Sequence, residues 1–408
     1  MGFNPLEEKG TPLEKQFRNW QEMNILPLDK DSTHPYTRTR VILMNGIEVE
    51  GAMFNHQLAR HCNDMDMKQQ LAMTRRIEQQ QQKHVNWLVG GEESTLETTL
   101  GYEQVAVDLT AYLAQTENDP NVKAALDFAL LEDFDHLYRY GNLMEMLENK
   151  RSDKVVGDLT EIMPGRPTII EHTHPLDGVR SHYDRNQADI LTKLHVLTIV
   201  SAEQQTMNYY MNVGNRFIEP LARGLYLEIA QIEEQHVSHY ESLADPDESW
   251  FERLLLHEYN ECYMYYSCLS SETDQRVRAI WQRNLEDEVE HLHVAAELLR
   301  QNEGREPEEI LPSEMPQLTI FQSNKAYVRQ VMASQMDLTV EGTEYVPSSK
   351  LPPDSRFHQF QKSVNSDGYV PSQVVIEEHI QNKGRDFRME TEGTHPIERL
   401  RDRGKVAA

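Results

Sequence analysis

Apolar residues recur in this chain at three- and four-residue intervals over long stretches, a period that predicts amphipathic helices. Between 196 and 302 the pattern resolves into four consecutive helices. Their apolar faces carry Ile199, Val200, Met207 and Tyr210, then Ile229, Ala230, Val237 and Tyr240, then Leu254, Leu255, Cys262 and Tyr265, then Leu285 and Leu292. The same period upstream predicts a helical hairpin with helices near Arg40–Cys62 and Asp66–Leu88, closed by Val89-Gly90-Gly91. A second hairpin covers 93–149, turning at Glu117-Asn118-Asp119-Pro120-Asn121. Residues 1–37 read as an arm with one short helix around Leu13–Met23, and 150–190 as a Pro/Gly-containing linker. In 303–408 the pattern predicts a helix at Ser323–Leu338 and extended pieces near Thr339–Val346 and Tyr369–Ile376. Phe357, Phe360, Tyr369 and Phe387 give this tail apolar surface to bury, so it is expected to wrap onto the helices.

Acids interrupt these apolar faces at fixed intervals. Glu203 lies thirty residues before Glu233-Glu234-Gln235-His236, and Glu258 lies thirty before Glu288-Val289-Glu290-His291. Chance supplies roughly three acid-x-x-His matches in a chain of this composition, so a lone match carries little information. Two matches at equal offsets from two further Glu, all on apolar faces, carry much more. Burying four carboxylates without partners costs several kcal/mol per ion. The faces offer two His and no Lys or Arg, which points to metal cations held by Glu203, Glu233, His236, Glu258, Glu288 and His291.

The same spacing reaches upstream. Glu103 precedes Asp133-Phe134-Asp135-His136 by thirty residues, and Glu50 precedes His84 by 34, where the other three Glu–His intervals are 33. Taken as four anchors, His84, His136, His236 and His291 describe an internal duplication of two hairpins. The expected fold is all-α, with two tandem four-helix bundles and a mixed, largely irregular C-terminal tail. The bundles are 38–149 and 191–302, joined by the linker 150–190, preceded by the arm 1–37 and followed by the tail 303–408. The first bundle offers a degenerate second metal site of Glu50, His84, Glu103, Asp133 and His136. In it Gln81 replaces a bridging carboxylate, and Glu78, one turn earlier, is a substitute.

Composition narrows the setting. A net charge of −27 excludes nucleic acid and anionic membrane as partners. Mean hydropathy is −0.67 and no run of 18 apolar residues occurs, so no membrane span is expected. The three Cys (Cys62, Cys262, Cys268) form no Cys-x-x-Cys pair, which leaves no built-in electron-transfer centre and suits a cytoplasmic chain.

The order Glu, Glu-x-x-His, Glu, Glu-x-x-His resembles the ferritin-like di-iron carboxylate superfamily, well over 196–302 and partially over 40–149. The resemblance implies two metal ions, Fe or Mn, bridged by Glu233 and Glu288. Glu203 and Glu258 would be terminal ligands, and His236 and His291 would hold one ion each. It implies an oxidoreductase of oxygenase, peroxidase or catalase type that takes O2 or peroxide with a small-molecule substrate, and that needs an external reductase if it is an oxygenase. Tyr210 and Tyr265, each seven residues after a terminal Glu, are the candidate catalytic side chains beside core packing. The alternative is a ferroxidase or iron-handling protein without an organic substrate, and a homo-oligomer is expected under either reading.

One further motif recurs three times. Asp31-Ser-Thr33-His34-Pro35, Glu171-His-Thr173-His174-Pro175 and Glu392-Gly-Thr394-His395-Pro396 each precede an Arg by five residues (Arg40, Arg180, Arg401). Pro at a first helical position makes these helix starts, with a metal or anion role for His172 and His174 as the alternative.

Overall fold

A computed structural model describes residues 2–402. Among them are the helices α1 (Trp20–Met23), α2 (Pro35–His61), α3 (Met65–Asn86), α4 (Thr95–Thr116), α5 (Pro120–Glu148), α6 (Asp153–Val156) and α7 (Thr168–Glu171). Further along come α8 (Ile190–Val213), α9 (Pro220–Glu241), α10 (Trp250–Ser271), α11 (Gln275–Glu303), α12 (Lys325–Gln335), α13 (Arg356–Val364) and α14 (Pro371–Lys383). One two-stranded antiparallel sheet, β1 (Leu338–Glu341) and β2 (Glu344–Pro347), lies between α12 and α13. Among the described residues, no helix is long and apolar enough to cross a membrane.

Local chemistry sets the helix starts. Asp119 accepts hydrogen bonds from the backbone N–H groups of Asn121 and Val122, with Pro120 at the first position of α5. Ser94 and Glu97 form a reciprocal cap on α4. The Tyr369–Ile376 segment, expected to be extended, is helical from Pro371. Its Val374-Val375-Ile376 run mimics a strand, but Pro371 opens the helix and Gly384, at a φ of 86°, closes it.

The three His-Pro motifs share one device. His34 Nδ1 accepts from the Tyr36 N–H (3.1 Å), His174 Nδ1 from the Leu176 N–H (3.2 Å) and His395 Nδ1 from the Ile397 N–H (3.0 Å). The imidazole itself does the capping that Ser or Asp usually does. Each motif's Arg then ties down its own surroundings: Arg40 on Glu272 (3.2 Å), Arg180 on the Gly342 carbonyl (2.9 Å), Arg401 on the His395 carbonyl (3.0 Å). Glu272 also accepts from the Thr37 hydroxyl and the Trp281 indole. Glu272→Ala, which strands the buried Arg40, should cost about 3–5 kcal/mol in urea denaturation.

The chain divides into two compact units. Unit one is Met1–Glu92, Tyr183–Gln205 and Ala244–Ile320; unit two is Glu93–His182, Thr206–Leu243 and Phe321–Ala408. In unit one α2 packs on α3 and α10, and α11 packs on α10 and α3. In unit two α5 packs on α4 and α9, α12 packs on α4 and α5, and α14 packs on α5 and α9. Each unit draws helices from both halves of the chain. Unit one holds α2, α3, α10, α11 and the first part of α8, and unit two holds α4, α5, α9 and the remainder of α8. Hairpins with similar apolar stripes can pair in either way, and their own sequences do not choose.

The core of unit two gathers Leu100, Phe134, Tyr140, Ile229, Met332, Val375 and Phe387. Residues 150–182 and the tail cover the outer face of α5, which is why that helix is buried almost all round. Its polar residues are matched there. Asp135 accepts from Arg139, from the Thr168 hydroxyl and from the backbone N–H groups of Gly165 and Thr168.

Candidate metal centres

The acids on the apolar stripes are buried. Glu203, Glu233, Glu258 and Glu288 are at most 3% exposed, and His236 and His291 at most 2%. They are divided between the two units. Glu233 and His236 lie in unit two, and Glu258, Glu288 and His291 in unit one. Glu203 lies on the portion of α8 that belongs to unit one. The two Glu-x-x-His segments thus belong to different units.

In unit two the ligand atoms of Glu103, His136 and Glu233 lie within 4.8 Å of one another, and Asp133, Glu233 and His236 belong to a second group of the same spacing. Glu233 is common to both groups. Its Oε1 is 3.1 Å from His136 Nδ1, and its Oε2 is 3.4 Å from His236 Nδ1. The far nitrogen of each imidazole has a carboxylate behind it. His136 Nε2 donates to Glu171 (2.9 Å), and His236 Nε2 donates to Glu132 (2.8 Å). That arrangement turns both Nδ1 atoms toward the cluster and raises the basicity of the rings.

Both outer carboxylates are themselves fixed. Arg166 holds Glu132 at 3.0 Å. Glu171 ends α7, and Gln235 clamps its backbone, donating to the Glu171 carbonyl (3.0 Å) and accepting from the Thr173 N–H (2.9 Å). The 150–190 segment therefore sets a buried carboxylate against His136. Glu171→Gln should weaken metal binding in unit two roughly 10- to 100-fold in an equilibrium titration.

Burial pushes Glu103 well above the ordinary carboxylate range, and the charge of Glu233 adds to the shift. Burial raises Asp133 as well. Burial would also raise Glu233, but the hydrogen bonds and positive charge of His136 and His236 hold it at about 2. For His136 burial works toward the neutral form and is outweighed by Glu171 and then Glu233, so the ring stays protonated well above its usual value. Protons and an internal ion pair thus balance the charge of this cluster. Tyr210 donates to Glu103 Oε1, and Glu103 Oε2 has no hydrogen-bond partner in a residue that is fully buried.

Unit one contains a different set. Glu78, Glu258 and His291 form one group within 4.8 Å, and Glu48, Glu261 and Glu288 form another. Tyr265 donates to Glu48, Asn55 donates to Glu78 (3.2 Å), and Gln81 Nε2 donates to Glu288 (2.6 Å). His291 Nδ1 is 2.9 Å from Glu288, and its Nε2 donates to Gln16 Oε1 (2.8 Å). Burial, then neighbouring carboxylate charge, raises Glu48, Glu258 and Glu261 well above the usual range. Burial raises Glu78 to about 7 against the pull of His291. Burial disfavours charge on His291, yet Glu288 first and Glu258 next lift it to about 10.

Two of the expected ligands stand elsewhere. Glu50 pairs with His257 (2.7 Å), because two residues along a helix separate it from Glu48 by about 200°. His84 Nδ1 accepts from Arg18 Nη1 (2.9 Å), and burial with the Arg18 charge lowers the ring to about 4. The overlooked signal is in the spacing. Glu48 precedes Glu78-x-x-Gln81 by the same thirty residues as the other three pairs, so Gln81 stands where a His recurs. Glu48→Glu203 and Glu103→Glu258 are then both 155 residues. Glu261 carries no such mark; only packing brings it in.

No protein family, curated protein or solved structure matches the chain.

Proposed function

We propose that unit two carries a dinuclear iron or manganese centre and acts as an oxidoreductase on O2 or peroxide. The observation that carries this reading is Glu233, shared by two ligand groups and flanked by two imidazoles that are each backed by a buried carboxylate. A carboxylate placed this way suits a bridge between two cations. Glu103 and His136 would serve one ion, and Asp133 and His236 the other, with Glu103 Oε2 free to accept it. Oxygen-rich donors with one imidazole per ion suit Fe or Mn better than Cu or Zn. When bound, such a pair of ions would supply redox chemistry toward O2 or peroxide.

The chain's own residues do the rest. Glu171 and Glu132 orient the imidazoles, and the apolar walls exclude water. Tyr210 positions the Glu103 carboxylate through its phenol hydrogen bond. Tyr210 also lines a cavity of about 230 Å³ with Tyr226, Met211 and Leu227, so a small molecule there would lie one phenol away from the cluster. That cavity favours a substrate-oxidising enzyme over an iron store. Elemental analysis of protein purified in air, followed by O2 and peroxide consumption, tests the reading. Metal absent from the protein, and not restored by anaerobic loading with Fe2+ or Mn2+, would end it.

A further inference from the structure

We propose that unit one holds a second metal centre, separate from that of unit two and biased toward oxygen-preferring cations, Mn2+ foremost. Two groups, Glu78 with Glu258 and His291, and Glu48 with Glu261 and Glu288, bring together five carboxylates and one imidazole, and His291 Nδ1 lies 2.9 Å from Glu288. The groups that include unit two's residues draw two imidazoles, His136 and His236, with Glu103, Asp133 and Glu233 from that unit. Affinity for nitrogen donors climbs steeply from Mn2+ to Fe2+ and beyond, whereas carboxylate and carbonyl donors discriminate less between them. Exchanging an imidazole for oxygen donors therefore moves a site toward Mn2+.

Several observations beyond the acids themselves point to a bound cation. Glu48 Oε2, Glu258 Oε2 and Glu261 Oε2 are buried without hydrogen-bond partners, on residues no more than 3% exposed. Gln81, fully buried and hydrogen-bonded to Glu288, leaves its own Oε1 without a partner. Gly51 lies mid-helix in α2, where glycine costs roughly 0.5–1 kcal/mol relative to alanine. A Cβ there would sit 2.3 Å from Glu261 Oε1, so the missing side chain is what leaves room for that carboxylate. The support behind the imidazole differs as well. Gln16, a neutral amide from the N-terminal arm, holds His291 Nε2, where unit two uses charged Glu171 and Glu132. A neutral partner makes the ring a weaker donor, again in favour of Mn2+.

The test uses full-length protein, stripped of metal and loaded anaerobically with equimolar Mn2+ and Fe2+. Bound metal per chain is measured by elemental analysis, with Mn2+ followed by electron paramagnetic resonance. Glu261→Gln and Gly51→Ala disable unit one; His136→Gln and Glu233→Gln disable unit two. Circular dichroism selects the folded variant of each pair, and Gly51→Ala should gain helix propensity. The Mn:Fe ratio in the unit-two variants, where unit one alone is intact, should exceed that in the unit-one variants roughly threefold or more. Equal ratios in the two sets, or no metal in folded His136→Gln and Glu233→Gln protein, would overturn the proposal. Loss of all metal from Glu261→Gln would instead count against the unit-two reading and leave unit one standing.

Discussion

Glu233→Ala is expected to strip unit two of metal and to lower O2 or peroxide consumption by roughly 100-fold or more. Even a residue that only supports a ligand is worth about 10- to 100-fold, and Glu233 belongs to both ligand groups. Stability should fall too. His136 keeps its charge through Glu171 and Glu233, and His236 loses one of its three carboxylate neighbours. Removing one partner of a buried ionic pair costs about 3–5 kcal/mol, seen as a lower urea midpoint. Glu233→Gln keeps the volume and a hydrogen-bonding oxygen, so it should recover part of the stability and little of the metal. Retained metal in both variants, at the wild-type number per chain, would remove Glu233 from any bridging role.

The metal-free protein should lose stability as pH rises, and metal should reverse the loss. Glu78 has its folded value raised from the ordinary 4.5 to about 7. A raised group contributes stability that is fully present below its unfolded value and lost as pH climbs through the folded one. The Glu78 contribution, about 3 kcal/mol, should therefore disappear between pH 4.5 and 7. Glu48, Glu103, Asp133, Glu258 and Glu261 shift in the same direction. His291, lifted to about 10, adds a further loss between pH 6.5 and 10. Glu233, held at about 2, works the other way and gives up its contribution only as pH falls below 4.5. Thermal unfolding in chelator should show a melting temperature that declines steadily from pH 5 to pH 9. Loading with Mn2+ or Fe2+ should flatten that decline and release protons into a weakly buffered solution, because cations replace protons on the same oxygens. A chelated protein that is more stable at pH 8 than at pH 5 would contradict the assignment.

Much of this molecule can be read from its residues in order. The long helices follow from apolar period and from caps such as Asp119-Pro120, and the burial of Glu233, Glu258 and Glu288 follows from their place on apolar stripes. The thirty-residue interval is also a property of the sequence, and applied strictly it finds Glu48 and Glu78 and rejects Glu50 and His84. Anchoring on His84 fails because imidazole is an ambiguous mark. His84 answers Arg18, and His34, His174 and His395 cap chain segments through Nδ1.

What the chain alone determined is local: where it coils, which face is apolar, and which acids must turn inward and find positive partners. Tertiary structure decided which acids meet. Helices α2, α10 and α11 bring Glu48, Glu261 and His291 into one unit, and α4, α5 and α9 bring Glu103, His136 and Glu233 into the other. Residues far away in sequence, Gln16 and Glu171, set the imidazoles. The physical reason is that periodicity fixes how a helix presents its surface but is nearly indifferent to which matching surface covers it. That choice rests on the summed packing of whole hairpins, which no short segment encodes.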